Sequence, residues 1–200
     1  MADGAHPLKA ATTPAPAEPR LRRFSRAEFD AMVAAGILEE GGRVELIGGE
    51  IVDMPGEGFA HADSATYLSS GLWRALGGAF DVVMNTRLDV DDETEAYPDI
   101  MVVQAGTPTR QRNPETVLLL IEIDNSSIRH DRDRKGPRYA AAGFREYWIH
   151  EPETGRLWVH REPAPDGVWG AVVKLEAGGE ASPLFAPEAR VLLPPAFVED

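Results

Sequence analysis

The stretch that decides the fold is "VLLLIEIDNSSIRHDRDRKGPRYAAAGFREYWI", residues 117–149. It opens as a near-continuous apolar run, which is typical of a strand covered on both faces. Glu122 and Asp124 arrive before this run has ended. Because burial of a carboxylate is costly unless the group is paired or bound to a cation, the run predicts that these acids face a charged partner.

A helix is predicted after this strand, between residues 131 and 142, with Gly143 at its end. Pro137 is compatible with two arrangements. Either the helix starts near Gly136 with Pro137 in its first turn, or Pro137 kinks a longer helix. The strand and the helix together place Lys135 one helical segment after Glu122.

Further helices and strands are predicted outward from this segment. Residues 25–36 read as a helix with a Ser25–Glu28 capping box, and residues 43–54 as a hairpin that turns at Gly48-Gly49. Residues 60–80 show helical spacing. Residues 81–90 read as one strand, 91–96 as an acidic loop, 97–103 as a strand, and 145–162 as two strands around a turn. The helical stripe of residues 60–80 contains Ala65, Leu68, Leu72, Trp73 and Leu76.

This order of helices and strands predicts a mixed α/β or α+β domain. Residues 1–20 are rich in Ala, Pro and Thr and are expected to form a disordered tail, which leaves a single domain over residues 21–195. The chain has no apolar run of membrane-spanning length and no secretory signal, and it contains no cysteine. We therefore expect a cytoplasmic protein without a membrane partner.

The net charge of −13 argues against a protein that coats nucleic acid, because phosphate binding depends on Lys and Arg. It does not exclude an enzyme with a small basic face. Residues 129–145 reverse the local charge, with six cations against Asp131 and Asp133. This run either receives a phosphate backbone or forms a solvated face with internal ion pairs. Its cations are Arg129, Arg132, Arg134, Lys135, Arg138 and Arg145.

Two carboxylates stand at the ends of two apolar segments. Asp99 directly follows Pro98 at the start of one strand, and Glu122 stands near the end of another. If the two strands are neighbours, both acids lie at one end of a sheet. Mg²⁺ takes one or two protein carboxylates, with water and substrate phosphate as its other ligands, and Lys135 is the candidate that steadies the nucleophile or the phosphorane. An acid at a strand end is otherwise a solvated edge group or half of a salt bridge.

Three stretches resemble the Uma2 family, also called DUF820, a branch of the PD-(D/E)XK nuclease superfamily. They are "VELIGGEIVDMP", "YPDIMVV" and "IEIDNSSIRHDRDRKGPRYAAAGFREYWI". The resemblance covers residues 24–161 and, more weakly, the end of the chain. It implies a restriction-endonuclease-like core, with a central mixed sheet flanked by helices and with an N-terminal helix and hairpin. The matching positions are Glu45, Leu46, Ile47, Gly49, Glu50, His61, Pro98, Asp99, Glu122, Ser127, Asp131, Arg132, Lys135, Tyr139, Ala140, Gly143, Glu146, Tyr147, Trp148 and Ile149.

The resemblance also implies site residues. Asp99 and Glu122 would bind the metal, Mg²⁺ or Mn²⁺, and the carbonyl of Ile123 would add a backbone ligand. Lys135 would replace the lysine usually found two residues after the acid, a position that Asp124 holds here. Asp124 then either adds negative charge to the site or faces solvent.

Glu45, in the hairpin, is a candidate third acid, with a strand-edge carboxylate paired to Arg43 or to an exposed lysine as the alternative. His61 would orient a water, substrate or carboxylate, or else cap its helix. Asp131 is expected to cap the helix that carries Lys135. Ser126 and Ser127 are interpreted as loop or capping hydroxyls, with a substrate contact as the less favoured alternative. Packing is expected of Tyr139, Tyr147, Trp148 and Trp158, and cross-strand surface pairing of His150 and His160.

The main hypothesis is a metal-dependent endonuclease that hydrolyses phosphodiester bonds, with DNA as the favoured substrate. The alternative is an inactive binding or assembly module that keeps the nuclease fold, because fold does not guarantee activity. A two-carboxylate glycosidase is a weaker third idea, which the family resemblance and Lys135 argue against. A homodimer is expected from the resemblance and from aromatic strands, thought to be exposed, near Trp148 and Trp158.

Overall fold

The computed structural model describes residues 20–39, 44–54, 56, 58–124 and 131–197, with the backbone alone for residues 131 and 132. Three α-helices lie in these ranges: α1 (Arg26–Ala34), α2 (Phe59–Leu76) and α3 (Gly136–Ala142). A π-helical segment, Asp131–Lys135, runs directly into α3, and Thr109–Gln111 forms a 3₁₀ turn. No helix in the described ranges has the length and apolar character needed to cross a bilayer.

Twelve strands are found in the same ranges. They are β1 (Val44–Ile47), β2 (Glu50–Asp53), β3 (Phe80–Met84), β4 (Leu88–Asp91), β5 (Thr94–Ala96), β6 (Ile100–Gln104), β7 (Val117–Ile123), β8 (Glu146–Glu151), β9 (Arg156–Pro163), β10 (Trp169–Leu175), β11 (Glu180–Ala181) and β12 (Val191–Leu192).

The central sheet has six strands in the order β10-β9-β8-β7-β6-β3. It is mixed, because β7 and β8 are parallel whereas the other neighbours are antiparallel. The β7–β8 pair needs a crossover, and the π-helical segment and α3 lie on it. A second sheet, in the order β2-β1-β5-β4, contains the N-terminal hairpin. This α+β architecture confirms the predicted fold class.

Each face of the central sheet has its own core. On one face, α2 packs Leu68 and Leu72 against Ile121 and Trp148. On the other face, residues of the second sheet and of α3 pack against β6, β7 and β8, as Tyr139 does. Side chains alternate between the faces of a strand, so β7, with apolar residues on both sides, is the buried strand that its sequence predicted.

Local sequence signals placed several boundaries correctly. Ser25 caps α1 in a capping box with Glu28. Gly48 and Gly49 have φ of +59° and +78°, the two positive values that a type I′ hairpin turn requires. Pro137 stands in the first turn of α3, so the first of the two arrangements predicted for it is correct.

The segment from residue 81 to 96 differs from the prediction. The single strand expected over residues 81–90 is two strands in different sheets, β3 and β4, which Asn85 separates with a φ of +46°. The expected acidic loop contains β5, whose three residues are buried. Burial of Glu95 there is compatible with its charge because Arg87 Nη2 lies 2.9 Å from its carboxylate.

Burial of several aromatic and histidine side chains also departs from expectation. Trp73, which belongs to the helical stripe of residues 60–80, is 64% exposed, whereas the other four members of that stripe are buried. Trp148 is fully buried, which removes it as a reason to expect a dimer, and Trp158 is half-buried. His150 and His160 are buried rather than paired on the surface. Packing as the role of Tyr139, Tyr147 and Trp148 is confirmed.

Candidate active site

Glu122 lies near the end of β7, on the face of the sheet that α3 covers. It shares this face with Leu120, because side chains alternate along a strand. Its Oε1 accepts hydrogen bonds from Lys135 Nζ at 3.3 Å and from the hydroxyl of Tyr139 at 3.0 Å. The residue is 2% exposed. Lys135 and Tyr139 therefore provide the partners that the buried carboxylate of Glu122 requires.

Lys135 is the last residue of the π-helical segment and is as deeply buried as Glu122. Its ammonium also reaches Glu45, at 3.2 Å from Oε1 and 2.9 Å from Oε2. The crossover after β7 thus returns a lysine to the strand that it has just left. π-Helical turns are rare and occur frequently at functional sites.

Glu45 lies on β1, which is an interior strand of the second sheet. It is 1% exposed, and its Oε1 also accepts a hydrogen bond from the backbone N–H of Tyr97 at 2.7 Å. The alternative of a strand-edge carboxylate is therefore wrong, because β1 is an interior strand and the lysine that Glu45 contacts is buried. Arg43, its suggested partner, lies outside the described residues.

Asp99 is held by two groups from different elements. Its Oδ2 accepts a hydrogen bond from the backbone N–H of Ile123 at 2.6 Å, and its Oδ1 lies 3.2 Å from His61 Nε2. The register Ile100↔Ile121, continued by one step, sets Asp99 opposite Glu122. Directly opposed residues project from the same face. Asp99 is thus a buried cross-strand neighbour of Glu122, and not a solvated edge group.

His61 and Asp124 border these carboxylates. His61 stands in the first turn of α2, and its Nε2 points at Asp99. This contact agrees with the interpretation that His61 orients a carboxylate. Asp124 follows β7 directly, is 5% exposed, and donates its backbone N–H to the carbonyl of His150. The interpretation of Asp124 as a solvent-facing residue is therefore wrong.

The donor set at this site suits a hard divalent cation. The buried carboxylates of Glu45 and Glu122 share the ammonium of Lys135, and the buried Asp99 lies across the strand pair from Glu122. Oε2 of Glu45 is within ion-pair distance of Lys135 but has no aligned hydrogen bond among the described atoms. Excess buried negative charge is a condition that a cation relieves.

The protein alone does not assemble a closed metal cage in the described part of the chain. No three His, Asp or Glu side chains there come close enough together to hold an ion among them. Mg²⁺ differs from structural zinc in this respect, because it keeps several waters and usually takes one or two carboxylates. The residues present fit a cation of that type.

A buried Ser–His pair supports the helix that carries His61. His150 Nδ1 lies 3.0 Å from the carbonyl oxygen of Arg156, and its Nε2 lies 3.2 Å from the hydroxyl of Ser64. A carbonyl only accepts, so Nδ1 carries the proton and Ser64 donates to Nε2. Burial lowers the pKa of His150 to about 4, which keeps the ring neutral near pH 7.

The basic run is only partly a free surface. Lys135 is buried in the site, Arg134 pairs with Glu50, and Arg138 lies 3.8 Å from Asp91. These three residues therefore form ion pairs within the protein, which was the alternative to binding a phosphate backbone. Five residues with expected roles lie outside the described residues or have side chains outside them: Ser126, Ser127, Arg129, Asp131 and Arg132.

Sequence reasoning assigned Tyr139 to packing alone and missed its hydroxyl contact to Glu122. The spacing of four residues from Lys135 was an available signal, because residues i and i+4 share a helix face. Glu146 is a buried acid of another kind. It accepts bonds from Trp148 Nε1, from the Arg161 guanidinium and from the Leu184 N–H. These donors satisfy the hydrogen-bonding capacity of the Glu146 carboxylate, and Lys135 is not among them.

Comparison with solved structures identifies the fold. A crystal structure described as "a putative nuclease belonging to DUF820 from Anabaena variabilis ATCC 29413" matches with a TM-score of 0.59 and 17% identity, over 74% of this chain and 86% of that one. The chain thus has the fold of a DUF820 nuclease-like protein. No curated protein matches it.

A family model confirms the resemblance. The model of Uma2, described as "Putative restriction endonuclease", matches residues 26–194. The chain therefore belongs to the Uma2 family. The match extends well beyond residue 161 and so includes the C-terminal strands.

Proposed function

We propose that this protein is a metal-dependent endonuclease that hydrolyses phosphodiester bonds in DNA. The observation that carries the proposal is the position of Lys135, whose ammonium lies between the buried carboxylates of Glu122 and Glu45. Asp99 lies across the strand pair from Glu122. Membership of a family described as putative restriction endonucleases supports the same chemistry.

Asp99, Glu122 and the carbonyl of Ile123 are the groups that would hold Mg²⁺ or Mn²⁺. A divalent cation at this position supplies Lewis acidity, which activates a water and neutralises negative charge on the phosphate. The residues of the chain prepare the ligands. The Ile123 N–H and His61 fix the two oxygens of Asp99, and Tyr139 fixes Oε1 of Glu122.

Lys135 is proposed to stabilise negative charge that develops on the phosphate in the transition state. A fixed ammonium in a site that excludes water has a much larger effect than in solution. Glu45 also holds this ammonium, and the N–H of Tyr97 in turn positions Glu45. Glu45 is thus the third acid of the proposed site.

The second candidate is an inactive binding or assembly module. The observation that favours it is that Asp99 and Glu122 already have partners within the protein, and that no three-residue metal cage forms in the described ranges. This candidate predicts a folded protein without cleavage at any divalent cation concentration.

The experiment measures cleavage of linear and supercoiled DNA with Mg²⁺, with Mn²⁺ and with EDTA. Wild type is compared with Asp99→Asn, Glu122→Gln and Lys135→Met. Glu95→Gln is a matched control, because Glu95 is a buried carboxylate on the second sheet that pairs with Arg87. The proposal expects divalent-dependent cleavage by wild type and by the control, and a loss of at least about 100-fold in the site variants.

Titration calorimetry with Mn²⁺ separates the two candidates. Binding that disappears in Glu122→Gln and persists in Glu95→Gln supports the endonuclease. Equal cleavage by wild type and all site variants would refute the site assignment, and absence of both cleavage and Mn²⁺ binding in the folded wild type would favour the inactive module.

A further inference from the structure

Three arginines from two separate parts of the chain converge on the turn of the N-terminal hairpin. Arg23 precedes α1, Arg134 lies in the π-helical segment and Arg138 lies in α3. Arg23 donates to the carbonyl of Gly48 and lies 3.7 Å from Glu50, and Arg134 pairs with the same Glu50. One carboxylate at the end of the hairpin therefore lies between two guanidiniums.

The two glycines of the turn give the arginines room. A Cβ at Gly49 would lie 2.6 Å from Cβ of Arg23, and a Cβ at Gly48 would overlap the guanidinium of Arg138. Larger residues at either position would displace an arginine. The Gly48-Gly49 pair thus serves the turn and also allows the close approach of two cationic side chains.

The cluster is open to solvent, in contrast to the buried site. The side chains of Arg23 and Arg134 are 52% and 37% exposed, and that of Glu50 is 45% exposed. The carboxylate of Glu50, held by two half-exposed guanidiniums, occupies a position that an external anion could take. Guanidinium groups bind carboxylate and phosphate oxygens with the same fork geometry.

We propose that Arg23 and Arg134 form a phosphate clamp for the DNA backbone, and that Glu50 occupies this clamp until the backbone displaces it. The inference rests on the proposed function, which it deepens by adding a binding site outside the cleavage site. Glu50 competes with DNA phosphates for the two arginines. The protein therefore binds the DNA backbone weakly when Glu50 occupies the clamp, and non-specific binding of DNA is reduced.

The position of the clamp suits a backbone that also enters the cleavage site. Arg134 is adjacent to Lys135, and Glu50 is paired with Ile47 across the hairpin, two residues from Glu45. Two strand residues span roughly 7 Å, and successive phosphates advance about 3.4 Å along the duplex axis. The clamp therefore takes a phosphate a few nucleotides from the scissile one.

The test measures binding of a fluorescent DNA duplex by anisotropy in EDTA, at several salt concentrations. Glu50→Gln removes the competing charge, and we expect it to tighten binding about three- to tenfold at low salt and to steepen the salt dependence by about one released counterion. Arg134→Gln added to Glu50→Gln should abolish this gain, as should Arg23→Gln. Because EDTA prevents cleavage, the result does not depend on the proposed activity.

Glu176→Gln is the matched control. Glu176 is another exposed carboxylate between two cations, Arg156 at 3.2 Å and Lys174 at 2.9 Å. It follows the end of β10, roughly 20 Å along the strand from Trp169, which contacts Gly136. The control has the same charge change and should leave the affinity within about twofold of wild type.

Three results would overturn the clamp. Equal tightening by Glu50→Gln and Glu176→Gln would mean that net charge alone sets affinity, and a gain that survives Arg134→Gln would remove the arginine from the site. Absence of duplex binding in every variant also overturns it. A clamp signal without divalent-dependent cleavage would leave the clamp in place and refute the endonuclease.

Discussion

The ammonium of Lys135 lies 3.3 Å from Oε1 of Glu122, although the chain between the two residues leaves the sheet and returns as a π-helical segment. Both side chains are almost fully buried. The desolvation of such a pair is compensated only while both partners are present. This relationship therefore links the stability of the fold to the residues proposed for catalysis.

Lys135→Met is expected to destabilise the protein by about 3–5 kcal/mol, because it leaves the carboxylates of Glu122 and Glu45 buried without their ammonium. Chemical denaturation monitored by circular dichroism measures the loss. Lys174→Met is the control, since Lys174 forms an exposed ion pair with Glu176 and should cost less than about 1 kcal/mol. Similar losses in the two variants would contradict the buried pairing.

Tyr139→Phe is expected to lower cleavage activity in protein that is still folded. The variant keeps the ring contacts with Phe144 and Tyr147 but removes the hydroxyl that fixes Oε1 of Glu122. Loss of one hydrogen bond to a buried carboxylate costs about 1–3 kcal/mol. We expect a tenfold or larger decrease in the rate at saturating Mg²⁺, measured under conditions where the variant is fully folded.

The control for this prediction is Tyr97→Phe, which removes a hydroxyl that lies 3.2 Å from a different carboxylate, Glu95. Its cleavage rate should stay within about threefold of wild type, because the site retains the Tyr97 N–H that binds Glu45. Full activity in Tyr139→Phe would restrict Tyr139 to packing.

The sequence predicted the features that depend on local chemistry. The capping box at Ser25, the type I′ turn at Gly48-Gly49 and the buried strand before Glu122 each follow from a few adjacent residues. Lys135 was placed beside Glu122 through the family pattern. Its position on a π-helical segment was not foreseen, because this geometry depends on how the crossover packs on the sheet.

Features that depend on distant contacts were predicted less well. Thr94–Ala96 contains a charged residue and was taken for a loop, but Arg87 neutralises Glu95 and permits burial of the strand. His150 was placed on the surface because its strand was read as an exposed hairpin, although α2 covers it with Ser64. No local pattern shows which residue of another element will meet a given side chain.

Glu146→Gln is expected to separate a structural acid from the proposed catalytic acids. Its carboxylate accepts bonds from Trp148, Arg161 and the N–H of Leu184, and an amide cannot satisfy all of these donors. We expect a loss of about 2–4 kcal/mol in the free energy of unfolding. The exposed variant Glu153→Gln should stay within about 0.5 kcal/mol of wild type.

Cleavage by Glu146→Gln provides the second measurement. At a temperature where the variant is folded, its rate should equal that of wild type within about threefold, since Glu146 is satisfied by groups outside the site. A large loss of rate in fully folded protein would place Glu146 in the catalytic machinery instead.

Acid is expected to destabilise the protein through His150. Burial lowers the pKa of His150 to about 4 in the folded protein, from an ordinary value of 6.5. Below pH 6.5 the unfolded chain therefore binds a proton that the folded protein does not, so this contribution to stability is complete above pH 6.5 and is lost as the pH falls toward 4. The loss reaches about 3 kcal/mol.

The free energy of unfolding measured from pH 8 to pH 4, for wild type and for His150→Gln, isolates this contribution. Glutamine does not titrate, so the variant should show the shallower fall between pH 6.5 and 4. Burial raises the pKa of Glu95, and this carboxyl acts in the opposite direction, favouring the folded state as the pH falls. Because Glu95 is present in both proteins, its effect cancels in the difference, and parallel curves would show that the His150 ring is protonated as readily in the folded protein as in the unfolded chain.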